Sequence, residues 1–125
     1  MRSIKDKIIL LENLTSSKLK IIRYFQADIT KYKILIMTIK NHYNNSFQTI
    51  EEIIDDLPKE ISSRAHKLNC ITDASIKGYF IKQTSSADLR KKYLTPSKDL
   101  ILEFEEFIDI INAYENINQS KKKIK

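Results

Sequence analysis

Two clusters of basic and hydroxyl side chains are the parts of this chain best equipped for chemistry, and the chemistry is recognition of a polyanion. The first is Lys59, Ser62, Ser63, Arg64, His66 and Lys67. Cationic groups neutralise phosphates, hydroxyls donate to phosphate oxygens, and arginine matches the paired acceptors on a guanine edge. The second cluster is Lys82 with the run Arg90, Lys91 and Lys92. Asp88 stands two residues ahead of Arg90, where a carboxylate can hold the guanidinium in position. Each cluster also has a plainer reading: a solvated helix face for the first, a charged strand edge that discourages aggregation for the second. His66 taken alone reads most simply as an exposed histidine.

Other chemistries find less support. With one glycine in the chain there is no Gly-rich phosphate loop, and no Ser, His and Asp arrangement rises above chance. His42, His66 and Cys70 share no ligand spacing, so neither a metal nor a cofactor is expected. A single cysteine excludes an intramolecular disulfide, and Cys70 reads as a small buried hydrophobe rather than a redox sensor. The chain is not expected to be an enzyme.

The 125 residues, 42% hydrophobic and 30% charged, suit one ordinary folded domain. The net charge of +6 is unevenly spread. Residues 59–92 hold eight basic and three acidic side chains, whereas residues 97–115 hold one lysine against six carboxylates. A basic stretch followed by an acidic one suits a protein with one surface toward phosphates and another turned away. The apolar runs at Ile8 to Leu11 and Ile34 to Met37 are far shorter than the ~20 residues a membrane span takes. Glu12 and Asn13 interrupt the first run too early for a signal peptide. A cytoplasmic, nucleoid-associated protein is the expectation.

Positioning these clusters falls to elements that the periodicity marks out. Ile4, Ile8 and Leu11 recur at helical spacing, and Thr15-Ser16-Ser17 offers a stop and a fresh N-cap. Leu19, Ile22, Phe25 and Ile29 make a second helix, then Tyr32, Leu35, Ile36, Ile39 and Tyr43 a third, with a boundary near Thr30. Thr49 and Glu52 form a capping box ahead of Ile50, Ile53, Ile54 and Leu57, and Pro58 ends that short helix. Ile61, Ala65 and Leu68 predict the buried stripe of the next helix, which runs to Gly78 as its C-terminal cap. Tyr79 to Gln83 and Leu89 to Leu94 read as a hairpin, and Thr95-Pro96 as the start of a last helix carrying Leu100, Phe104, Phe107, Ile108, Ile111 and Tyr114.

A short capped helix, a turn, a second helix and a two-stranded wing make a winged helix-turn-helix. The run from Ile61 to Gln83 resembles the recognition helix and first wing strand of MarR-type regulators, and Asp88-x-Arg90 resembles the wing-tip pair of that family. The resemblance covers residues 29–107. The lysine-rich residues 119–125 read as a disordered basic tail, and the resemblance implies a mostly α (α+β) fold with a winged helix-turn-helix over 29–96 and dimerisation helices over 1–28 and 97–118. It also implies a homodimer on double-stranded DNA as a transcription regulator, with the helix in the major groove and Arg90 at the minor groove. A small-molecule effector is compatible with the family, but no residue identifies one. The alternatives are a protein-docking winged helix and a nonspecific architectural DNA-binding protein. The carboxylates Glu51, Glu52, Asp55 and Asp56 would be unfavourable beside DNA and are expected to face solvent away from it.

Overall fold

The computed structural model describes residues 4–16 and 18–123. Along these residues the order is α1 (Ile4–Asn13), α2 (Lys20–Gln26), α3 (Ile29–Tyr43), α4 (Ile50–Asp56), α5 (Arg64–Ile76), β1 (Phe80–Thr84), β2 (Lys92–Pro96) and α6 (Lys98–Lys123). Residues 124 and 125 of the expected tail lie outside the described residues.

Several expected boundaries hold for the expected reasons. The Thr49 hydroxyl accepts from the Glu52 amide at 3.2 Å and the Glu52 carboxylate accepts from the Thr49 amide at 3.1 Å, completing the capping box of α4. Gly78 closes α5 at φ +81°. Its amide donates to Ser75 O and that of Tyr79 donates to Ala74 O, the paired bonds of a Schellman end. Asn45, at φ 52°, closes α3 in the same way, with the Ser46 amide donating to Asn41 O.

Other boundaries move. Asp28 caps α3 through the amides of Thr30 and Lys31, so the helix starts just before Thr30. No hydroxyl caps α2. Its Ile22 amide donates instead to the Glu103 carboxylate of α6 at 2.9 Å, a partner 81 positions along the chain that local sequence does not reveal. The second wing strand begins at Lys92 rather than Leu89 and keeps Thr95 and Pro96, which pair with Ile81 and Phe80. Proline ends the strand opposite Phe80, and the helix start passes to Ser97, whose hydroxyl accepts from the Leu100 amide at 3.2 Å.

One core joins these pieces. Ile22 and Phe25 of α2, Ile34 and Leu35 of α3, Ile53 of α4, Ile71 and Ala74 of α5, Leu94 of β2 and Leu100 of α6 are all essentially inaccessible. Phe25 meets the rings of Tyr24, Tyr79 and Phe80 at 5.0, 6.0 and 5.1 Å, which ties α2 to the end of α5 and the root of the wing. A third chain segment braces the hairpin where the Leu94 amide donates to Gln48 O and Thr49 bridges to Tyr93. The core does not cover α1, which buries none of its residues and leaves Ile4, Ile8, Ile9 and Leu11 exposed.

A methyl group added at Gly78 would meet nothing within 4 Å, so only its backbone resists substitution. Gly78→Ala should lower stability by about 1–2 kcal/mol, the cost of holding a non-glycine residue left-handed, and Gly78→Asn by less. Urea unfolding checks this; an alanine variant with the parent's midpoint would show that the α5 end does not depend on that conformation.

Candidate nucleic-acid interface

The helix bearing the first cluster begins later than its apolar residues suggest. Ser63 is the N-cap of α5, with extended backbone and a hydroxyl that accepts from the His66 amide at 3.1 Å. Ile61 therefore lies in the turn before the helix. The buried face of α5 is Lys67, Cys70, Ile71 and Ala74, not the expected stripe of Ile61, Ala65 and Leu68. At 100° per residue the outermost line becomes Ala65, Asn69, Thr72 and Ile76. Leu68, 44% exposed, lies on the flank toward α4 and the wing. His66 and Asp73 lie on the opposite flank, toward α2 and α3.

This rotation changes what the first cluster can do. Lys67 is 4% exposed and lines a recess with Ile54, Asp55 and Leu57, a correction to its expected outward position. The Ser62 hydroxyl shares a 2.9 Å hydrogen bond with buried Thr30, so it ties the turn to α3 instead of projecting outward. Ser63 is occupied as the cap. His66 Nε2 lies 2.9 Å from the Asp28 carboxylate. Lys59 is exposed in the turn between α4 and α5.

Arg64 is exposed but held. Its guanidinium pairs with Glu51 and, at 3.3 Å, with Asp55, both from the acidic helix α4. The hydrogen bond to Glu51 pushes the pKa of Arg64 further up, so it remains a cation at any accessible pH. The expectation that the α4 carboxylates all turn away from the reading helix is thus corrected for Glu51 and Asp55. Their spacing of four places both on one face, and that face meets the first turn of α5. Glu52 turns to the capping box, and the backbone amide of Thr49 holds its carboxyl below the usual range.

The wing presents its charges without such restraint. Lys82 is exposed on β1, and Lys91 and Lys92 are exposed at the start of β2. Asp88 accepts from the Arg90 amide at 3.0 Å and from Arg90 Nε at 3.4 Å, while the Arg90 side chain is 93% exposed. The carboxylate fixes the base of the arginine and leaves its tip in solvent. Arg90, Lys91 and Lys92 share one open cleft of about 500 Å³ with Thr49, Ile50, Glu51, Glu52 and Leu68. The exposed cations of the wing and the flank of α5 therefore face a common space.

Two residues on the outermost line of α5 were missed in the sequence. Asn69 and Thr72 carry the polar groups best placed to meet a ligand laid along that helix. Reading Ser63 as the cap and Cys70, Ile71 and Ala74 as the stripe would have found them.

A short helix, a turn, a helix at whose outer face polar groups project, and a cationic hairpin beside it define a winged helix-turn-helix protein. No family model matches the sequence, and no curated protein matches it significantly. Solved structures share its fold. A point mutant of S. aureus MepR superposes with a TM-score of 0.58 at 14% identity, covering 96% of this chain and 85% of that one. NadR in complex with 4-hydroxyphenylacetate gives 0.55 at 16% identity over 99% and 86%. The heme sensor protein PefR from Streptococcus agalactiae, in complex with heme, gives 0.51 at 19% over 99% and 90%. The winged helix-turn-helix expected from the sequence is the fold this chain adopts.

Ser63→Ala should cost about 1 kcal/mol, the usual worth of an N-cap hydroxyl, and should fray the first turn of α5. Hydrogen exchange at the His66 amide, the group that donates to Ser63, should accelerate well beyond that at Ala74. Unchanged protection at His66 would locate the start of the helix elsewhere.

Proposed function

We propose that this chain is a sequence-specific double-stranded DNA-binding transcription regulator that acts as a homodimer. The carrying observation is the placement of exposed cations: Arg90, Lys91 and Lys92 open into the same cleft that α5 flanks. On this reading α5 lies in the major groove and the wing reaches the adjacent minor groove, where a narrow A·T-rich stretch concentrates negative potential around Arg90. Asn69 reads an adenine edge through its amide, and Thr72 contacts a neighbouring base or phosphate. Arg64 contributes to the extent that phosphate or guanine displaces it from Glu51 and Asp55.

Dimerisation is supported by the ends of the chain. The apolar side chains of α1 are exposed, with Ile4 at 77% and Leu11 at 62%, and Leu102 and Ile108 of α6 are likewise uncovered. A second copy would cover them and set two recognition helices against half-sites about one helical turn apart. The segments 1–28 and 97–118 then form the dimer and 29–96 the reader. No helix among the described residues is long and apolar enough to cross a membrane, and a cytoplasmic location belongs to the same proposal.

A protein-docking role is the second reading, and one observation favours it: Leu68 is exposed at the flank of α5 while the nearby Arg64 is already paired with carboxylates. Titrations against a site selected from random duplexes and against scrambled duplex, at several salt concentrations, separate the two. Asn69→Ala should weaken the selected site by about 1–3 kcal/mol and relax one position in each half-site. Lys91→Ala should weaken every duplex alike and make the salt dependence shallower by about one phosphate per subunit. Glu51→Gln with Asp55→Asn should tighten binding to all duplexes, because it removes two negative charges and releases Arg64. Parent-like binding by all of these variants would favour the docking role.

The oligomer has its own measurement. Ile8→Glu should convert dimers to monomers in light scattering, without loss of helical signal. A parent chain that is monomeric at micromolar concentration would remove the dimer from this proposal.

A further inference from the structure

Three side chains with different donor atoms converge on the flank of α5 that faces α3. His66 and Cys70 are four residues apart on one helix and so point the same way. Asp28, the cap of α3, reaches them from the neighbouring helix. His66 Nε2 lies 2.9 Å from an Asp28 carboxylate oxygen and 3.5 Å from Cys70 Sγ, and the three donor atoms all fall within 4.8 Å of one another.

We propose that Asp28, His66 and Cys70 form a binding site for a divalent transition-metal ion, with zinc the best chemical match. A thiolate, an imidazole and a carboxylate together suit zinc, whose bonds to sulfur, nitrogen and oxygen of about 2.0–2.3 Å place tetrahedral donors roughly 3.3–3.8 Å apart. The histidine and cysteine already stand at that separation. The aspartate must move less than about 1 Å relative to either partner. An open recess of about 390 Å³, to which Asn69, Thr72 and Asp73 contribute, adjoins His66 and Cys70 and leaves room for water as a fourth ligand. Asp73 adds a second negative charge nearby, against which Lys31 is the opposing cation at the rim.

Binding has a defined proton balance. Cys70 loses its thiol proton to solvent as the sulfur–metal bond forms, and His66 gives up the Nε2 proton it donates to Asp28 and takes one on Nδ1 by exchange with solvent, which frees the Nε2 lone pair for the metal. One proton leaves for each ion bound, and the hydrogen bond between His66 and Asp28 gives way to two metal bonds. The ion cross-links the start of α3 to the middle of α5, so it should stabilise the fold in proportion to its occupancy.

Cobalt(II) titrated into the reduced full-length protein is the direct probe. We expect one ion per chain, a thiolate-to-cobalt charge-transfer band in the near ultraviolet, and visible bands of tetrahedral intensity. Zinc should abolish all of these by displacement and raise the thermal midpoint of the parent. Cys70→Ser should erase the charge-transfer band. His66→Gln should keep that band but weaken cobalt by at least about tenfold, a loss that even changes outside the ligand set can cause. His42→Gln should change nothing. If Cys70→Ser does not fold, His66→Gln carries the test, since its side chain is 44% exposed and not part of the core. Cobalt that binds without a charge-transfer band, fails to bind at micromolar concentration, or binds His66→Gln as tightly as the parent would overturn the site. All of these are read without DNA, so the outcome is independent of the regulator proposal.

Discussion

The rotation of α5 is the constraint on which the rest of the molecule depends. Ser63 caps the helix, and Cys70, Ile71 and Ala74 turn into the core against α3 and the root of β1. Once those are set, the period of 3.6 leaves no freedom for the other positions. Arg64 must meet α4, His66 must meet α3, and Asn69 must face outward. Lys67 is carried inside by the same rotation, where it lines a recess with Ile54 and Leu57 at the edge of the core.

Electrostatics then divide the surface around that helix. On one flank Glu51 and Asp55 hold Arg64, so the start of α5 carries a cation that is locally neutralised. Both acids and the arginine are more than half exposed, which makes this an ion pair that salt and competing phosphates can loosen. Across the cleft, Asp88 reaches only the base of Arg90, while Lys91 and Lys92 share the open space with Glu51 and Glu52. A ligand of negative charge would therefore meet the wing first and engage Arg64 only by replacing its carboxylates.

The opposite flank is built differently. There a cap residue has a double use: one oxygen of Asp28 accepts from the backbone of α3 while the other meets His66. Burial alone would push the Asp28 carboxyl up, but the bonds from His66 and from the amides of Lys31 and Thr30 outweigh it and hold it below the usual carboxylate range. Burial pushes the neighbouring Cys70 thiol up. Farther along this flank, burial, followed by the hydrogen bond to Asp73, pushes the Tyr24 phenol well up, so it stays a neutral donor to that carboxylate. Helix α5 is thus held by polar contacts on both sides and by apolar packing beneath.

What could be read from the sequence was whatever local chemistry decides. The capping box at Thr49 and Glu52, the left-handed Gly78, the order of the elements and the Asp88-x-Arg90 pair all depend on residues a few positions apart, and the structure contains each of them. The face of α5 was different, because Ile61, Ala65 and Leu68 also have helical spacing and only the packing of Ile71 and Ala74 against distant elements decides between the two registers. The same limit applies to Glu103 at the start of α2, to the Arg64 clamp, and to Asp28 beside His66 and Cys70. Each joins residues from different elements, and tertiary folding alone brings such side chains within hydrogen-bonding or metal-binding distance.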